Sequence, residues 1–238
     1  NGTLYVVGGR KSSALTDVTS AVLYAKVLAD GRLGPWNTTK PLPAPLAMHQ
    51  VVARAGTLDV VGGVGEEGPS SAIWTAQVQE DGDLESWSLN AASLPAPRLS
   101  FFAAVDDDVL FAVGGLETLG SASARRTVFT VTLDAPGAGD PVATEWLPDA
   151  RGAFAGVHTT SGLFVLGGID DHGQSLSTVL FASPDDAKPL RWRSMPDLPE
   201  AISGHVSTSS GDSIVVMGGN GPSGPSDRVW IAWPLPSG

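Results

Sequence analysis

The sequence predicts an all-β protein of repeated four-stranded antiparallel blades, a β-propeller, and three observations predict it. A short apolar run closed by a glycine pair recurs five times: Leu4-Tyr5-Val6-Val7-Gly8-Gly9, Leu58-Asp59-Val60-Val61-Gly62-Gly63, Leu110-Phe111-Ala112-Val113-Gly114-Gly115, Leu163-Phe164-Val165-Leu166-Gly167-Gly168 and Ile214-Val215-Val216-Met217-Gly218-Gly219, in near-even steps along the chain. One aromatic residue follows each pair in a further apolar run: Tyr24, Trp74, Phe129, Phe181 and Trp230. A Leu-Pro pair stands at 42–43, 94–95, 147–148 and 198–199, and each of its leucines keeps the same distance from the glycine that follows at 62, 114, 167 or 218. A unit of about 50 residues that cannot cover its own faces must stack against its neighbours.

Each element follows from local pattern. The continuous apolar run before Gly-Gly fits a strand covered on both faces, here strand b, because a strand with one wet face would alternate. Glycines after it allow backbone angles and close approaches that a Cβ forbids. A small-residue turn before strand b (Asn1-Gly2, Ala55-Gly56, Ser161-Gly162, Gly211-Asp212, with Asp106-Asp107-Asp108 in the third repeat) implies a hairpin partner. That partner is strand a, expected at 48–53, 100–105, 153–159 and 204–209. The aromatic runs form strand c. Asp30-Gly31 and Asp81-Gly82 then turn the chain into strand d, which carries Trp36 and Trp87. Repeats three and four keep Trp146 and Trp192 but reach them through irregular connections with Pro136, Pro141, Pro184 and Pro189. The tryptophans recur with the structural period and read as blade-to-blade packing.

Glycine pair, downstream aromatic, spaced tryptophan and the Pro-to-Arg approach to the next strand together resemble the kelch repeat. The Asp-Gly-x-Leu-x-x-Trp versions look like those of bacterial kelch-repeat proteins, and the resemblance covers the whole chain. Approximate repeats are 1–43, 44–95, 96–148, 149–199 and 200–238. The first lacks strand a and the last lacks strand d, with Leu235-Pro236 arriving early. The expectation is one incomplete propeller domain, belonging to a ring of six or seven blades or completed by another chain; a five-bladed ring is the alternative.

Composition narrows the function. With 25 acidic against 14 basic residues, a net charge of −11 and no basic stripe, nucleic acid is disfavoured as a partner. The longest apolar runs, about six residues, are too short for a membrane-spanning helix. Cysteine is absent, which removes disulfides, thiolate metal sites and cysteine nucleophiles. No cofactor or metal is expected. A copper oxidase would need a cysteine-linked tyrosine, and the tyrosines Tyr5 and Tyr24 both lie in strand columns.

The b-to-c loops (10–19, 64–71, 116–126, 169–177 and 220–227) and the d-to-a segments share one face, where variable loops on a rigid scaffold suit recognition. Arg98 and Arg151 occupy one column, equally far ahead of Gly114 and Gly167. They are candidates for holding a carboxylate, against a structural role bonding the carbonyls of neighbouring blades. His49 and His205 share a column with Phe101 and Phe154, which reads as packing before ligand binding. Asp170 and His172, with Asp171 between them, offer metal-ligand types, although three consecutive residues cannot surround an ion. Asp59 stands in an apolar strand position and should be paired. The leading expectation is a non-enzymatic binding module presenting its loops to a protein or glycan, in an extracellular, periplasmic or cell-surface setting that the resemblance implies. A sugar-acid isomerase using Arg98 and Arg151, and a structural segment of a surface assembly, are the alternatives.

Overall fold

The computed structural model describes residues 2–12, 14, 17–54, 56–133, 142–143, 146–183, 191–211 and 213–233. Asn1, Ala55, Asp212, the four connecting prolines and Leu235-Pro236 lie outside them. The chain forms successive antiparallel sheets. Blade 1 is β1 (Thr3–Val7), β2 (Val22–Lys26) and β3 (Asn37–Thr38). Blade 2 is β4 (Gln50–Arg54), β5 (Thr57–Val61), β8 (Ala72–Gln77) and β9 (Ser88–Ser93), with a small ribbon of β6 (Val64–Gly65) and β7 (Gly68–Pro69) inserted. Blade 3 is β10 (Phe102–Asp106), β11 (Val109–Val113), β12 (Val128–Thr132) and β13 (Val142–Ala143). Blade 4 is β14 (Ala155–Thr159), β15 (Gly162–Leu166), β16 (Val179–Ala182) and β17 (Arg193–Met195). Blade 5 is β18 (Val206–Ser210), β19 (Ser213–Met217) and β22 (Val229–Ala232), with the ribbon β20 (Asn220–Gly221) and β21 (Gly224–Pro225). Among the described residues the first and last sheets each pair three strands. No helix among the described residues is long and apolar enough to cross a membrane.

The core lies between blades. Tyr5, Val7 and Val22 meet Leu58 and Val60; Val52 and Val61 meet Phe101 and Leu110; Phe102 and Val113 meet Leu163 and Val165; Val157 and Leu166 meet Ile214 and Val216. Each blade therefore has a forward face and a backward face, both apolar, which is why strand b does not alternate. Burial of such side chains contributes about 1.5 to 3 kcal/mol apiece.

Two backbone ladders join the blades. The second glycine of a pair donates its N–H to the next blade, Gly9 to Leu46, Gly63 to Arg98, Gly115 to Arg151 and Gly168 to Ile202, at 2.7–2.8 Å. A Cβ on the first glycine would stand 2.5 Å from the Arg98 carbonyl at Gly62 and 2.6 Å from the Ile202 carbonyl at Gly167. Glycine is thus required by the approach of the following blade. Nearer the axis, Ser100 donates to the Met48 carbonyl, Ala153 to Ser100 and Gly204 to Ala153. Met48, Ser100 and Ala153 take φ of 55°, 48° and 49° there, so the inner strands begin two residues later than the pattern predicts. A left-handed residue cannot continue a strand.

Asp59 is fully buried and paired, accepting from Arg54 Nε at 2.8 Å and from the Thr75 hydroxyl. Arg54 also reaches Asp108 at 3.2 Å, tying blade 2 to the charged hairpin end of blade 3.

Candidate functional site

The b-to-c loops and d-to-a segments share one end of the blades, joined by the bridges Ala47 to Val64, Leu99 to Leu116, Gly152 to Ile169 and Ser203 to Asn220. Val64, Leu99, Leu116 and Ala124 form a small apolar layer beneath the loops. Loop variation thus rests on a fixed floor.

Arg98 and Arg151 lie inside this floor, 1% and 0% exposed. Arg98 donates to the Pro97 carbonyl at 2.8 Å, to Glu117 Oε1 at 3.1 Å and to the Thr127 hydroxyl at 2.7 Å, and its guanidinium lies 5.0 Å from the centre of the Phe129 ring. Arg151 donates to the Gly167 carbonyl at 3.2 Å and to the Thr178 hydroxyl at 3.1 Å. Both side chains therefore bond within their own blades. The neighbouring blade is reached instead through the arginine's own backbone carbonyl, which accepts from Gly63 or Gly115. Burial lowers the pKa of each guanidinium, and Glu117 opposes this at Arg98, as Asp149 does at Arg151.

Glu117 and Asp170 occupy the same place, each the second residue past its glycine pair. Glu117 bridges Arg98 and Arg125, and the hydrogen bond from Arg125 is the main reason its carboxyl sits below the usual range. Asp170, one methylene shorter, accepts instead from the N–H groups of His172 at 2.9 Å and Gln174 at 2.8 Å, closing its own loop. His172 Nδ1 stands 2.8 Å from Asp171 and 3.9 Å from Asp170. The three residues bring their ligand-type atoms within 4.8 Å of one another, although the loop bonds already occupy one Asp170 oxygen. His49 and His205 are packing rings: a Cβ on Gly8 or Gly167 of the preceding blade would touch their Cε1 at 3.0 Å, as Phe101 and Phe154 sit against Gly62 and Gly114. Burial pushes both histidines down to about 4, so they are neutral at pH 7.

A cleft of about 740 Å³ opens between the loops of blades 3 and 4. Its apolar surface comes from Trp146, Pro148 and Leu176, with Arg125 and Arg126 on one side and Asp149, Asp170, Asp171 and His172 around the rest. Trp146 is 47% exposed and carries the Arg126 guanidinium 4.7 Å from its ring centre. No acidic residue among the described residues pairs with Arg126. This corrects the packing role expected for Trp146. Trp36, Trp87 and Trp192 stand well ahead of the Leu-Pro leucines and enter strand d, whereas Trp146 directly precedes Leu147 and follows β13. Its place directly before the Leu-Pro pair puts it on the loop face. That broken spacing is the sequence signal for the cleft.

A stack of such blades, each stitched to the next by a glycine pair and exposing a cleft among variable loops, defines a β-propeller. No family model matches the sequence. Kelch-like protein 35 of Mus musculus is 30% identical over 213 residues, 86% of this chain and 31% of its own length. Beta-scruin of Limulus polyphemus is 30% identical over 182 residues, 72% of this chain and 18% of its own. Among solved structures, that of YjhT superposes with a TM-score of 0.72 at 15% identity, covering 92% of this chain and 70% of that one. The chain belongs to the kelch-repeat family. It spans about a third or less of the length of these curated relatives.

Proposed function

We propose that the chain is a protein-interaction module whose cleft between blades 3 and 4 takes a peptide segment bearing an acidic side chain beside an apolar one. The observation that carries this is Arg126, exposed at the cleft with its guanidinium over the Trp146 ring and without an acidic partner among the described residues. A stacked guanidinium keeps its N–H edge free, and that edge suits bidentate binding of a carboxylate. Trp146, Pro148 and Leu176 offer apolar contact beside it. The kelch-repeat relatives support an interaction module in general. A peptide is favoured over a glycan because Arg126 already covers one face of the Trp146 indole and leaves less of it for a sugar to stack on.

The test is selection of a displayed random peptide library on the protein, with counter-selection on the Arg126→Glu variant. Enriched sequences should carry Asp or Glu next to an aliphatic or aromatic residue and fail to bind the variant. Enrichment of peptides that bind both proteins equally, or of none, contradicts the reading.

A further inference from the structure

The two blades that line the cleft bring opposite charges to it. Arg125 and Arg126 belong to blade 3, and Asp149, Asp170 and Asp171 to the repeat that forms blade 4. Most of these groups are already engaged close by. Arg125 is held by Glu117 at 2.6 Å, Asp170 Oδ1 accepts from the N–H groups of His172 and Gln174, and Asp171 stands 2.8 Å from His172 Nδ1. Two groups are left over. Arg126 lies over Trp146 without an acidic partner, and Asp149 is exposed with neither a hydrogen bond nor an ion pair among the described residues. Both line the same cleft, yet no ion pair joins them.

The chain limits how far apart these two charges stand. Trp146, which carries Arg126, precedes Asp149 by three residues, a stretch of backbone that spans at most about 11 Å. Pro148 lies between them in the sequence and is part of the apolar surface. An extended ligand advances about 3.3 Å per residue, so the side chains that reach Arg126 and Asp149 stand within about four positions of each other. The charge balance decides against a purely acidic ligand. Three carboxylates line the cleft against two guanidiniums, and Glu117 already neutralises one of the guanidiniums. A segment carrying only acidic side chains gains one pairing, at Arg126, and is repelled by the remaining lining. A segment that also carries a cation gains a second pairing and meets the surplus carboxylates with the opposite sign.

We propose that the cleft selects an amphoteric peptide segment: an acidic side chain pairs with Arg126, a Lys or Arg within about four positions of it pairs with Asp149, and the apolar residue rests on Trp146 and Pro148. This deepens the peptide-binding reading of the cleft and rests on it. Arg126 is the anchor, and Asp149 determines specificity. A ligand that brings a second carboxylate to Asp149 meets an uncompensated like charge, and one that brings an apolar group leaves that carboxylate without a partner.

The displayed random peptide library is selected on the full chain and, in parallel, on its Asp149→Lys variant. Enriched peptides are then titrated by calorimetry into the unsubstituted, Asp149→Asn and Arg126→Glu proteins. The unsubstituted protein should enrich peptides with Lys or Arg within about four positions of Asp or Glu. Asp149→Asn should weaken them at least about fivefold. Replacing the peptide's own basic residue by Gln should cost as much on the unsubstituted protein, a measurement that leaves the protein's fold untouched. Selection on Asp149→Lys should exchange that basic residue for a second acidic one. Peptides that need Arg126 but bind Asp149→Asn unchanged, and tolerate the Gln replacement, overturn the inference and leave the cleft reading standing. Peptides indifferent to Arg126→Glu contradict the cleft reading itself, and the inference falls with it.

Discussion

Blades 3 and 4 differ from blades 2 and 5 at two columns of the repeat. The middle blades pair Arg98 with Phe101 and Arg151 with Phe154; the flanking ones pair Leu46 with His49 and Ile202 with His205. Both columns serve the junction in ways that tolerate the exchange. The first supplies a backbone carbonyl to the preceding blade's glycine, so its side chain is free to vary. The second supplies a flat ring against that blade's other glycine, and a neutral imidazole fills the place of a phenyl. The junction is therefore made by backbone and shape, while charge is settled locally within each blade. Neither described pairing puts a buried guanidinium beside a ring that can also ionise, which would add like-charge repulsion to desolvation.

The largest effect expected from this difference is on the acid side. Burial holds His49 and His205 down to about 4, below the ordinary 6.5, so the unfolded chain takes up protons that the folded one refuses. Their contribution is fully present above about pH 6.5 and is lost as pH falls toward 4, at about 1.4 kcal/mol per pH unit for each group. By pH 4 the loss should reach about 3 kcal/mol per histidine. The double variant His49→Phe, His205→Phe should retain that stability in urea unfolding at low pH. An equal acid loss in the variant would break the comparison.

Next comes the carboxylate that distinguishes blade 3 from blade 4. Glu117→Ala leaves Arg98 buried without an anion. A stability loss of roughly 1.5–3 kcal/mol is expected in urea unfolding, the scale of a hydrogen bond to a charged group. It should fall short of the cost of breaking a fully buried pair, because Glu117 is partly exposed. Asp170→Ala removes loop hydrogen bonds and touches neither arginine. A loss of about 1 kcal/mol is expected there. Equal losses from the two would show that Glu117 only orders its loop. The smallest effect should come from Arg151→Leu, which installs the residue type of blade 2. Replacing a buried cation that has no carboxylate hydrogen bond by an apolar side chain should change stability by about 1 kcal/mol or less, in either direction. A loss above about 3 kcal/mol would show that Arg151 holds the junction itself.

The repeat and its strand order were readable in the sequence because each is carried by a periodic residue: glycine pair, aromatic and Leu-Pro. The left-handed starts of the inner strands were not, since Met48, Ser100 and Ala153 are ordinary residues forced into that conformation by hydrogen bonding around the axis. The candidate residues divide the same way. Arg98, Arg151, His49 and His205 stand out by column, and column membership is what places them in the interior. Arg126 and Trp146 fall outside the columns, Trp146 because it stands directly before Leu147 rather than ahead of strand d. Departures from the period carry the recognition chemistry that we propose.

The central claim, that Arg126 on Trp146 is the recognition element, is tested most directly by calorimetric titration of the most enriched selected peptide into the protein and into folded Arg126→Ala and Trp146→Ala variants. The account predicts at least about a tenfold loss of affinity in each, the scale of one charge-assisted or stacking contact. Unchanged affinity in both variants would place the binding surface elsewhere and contradict it.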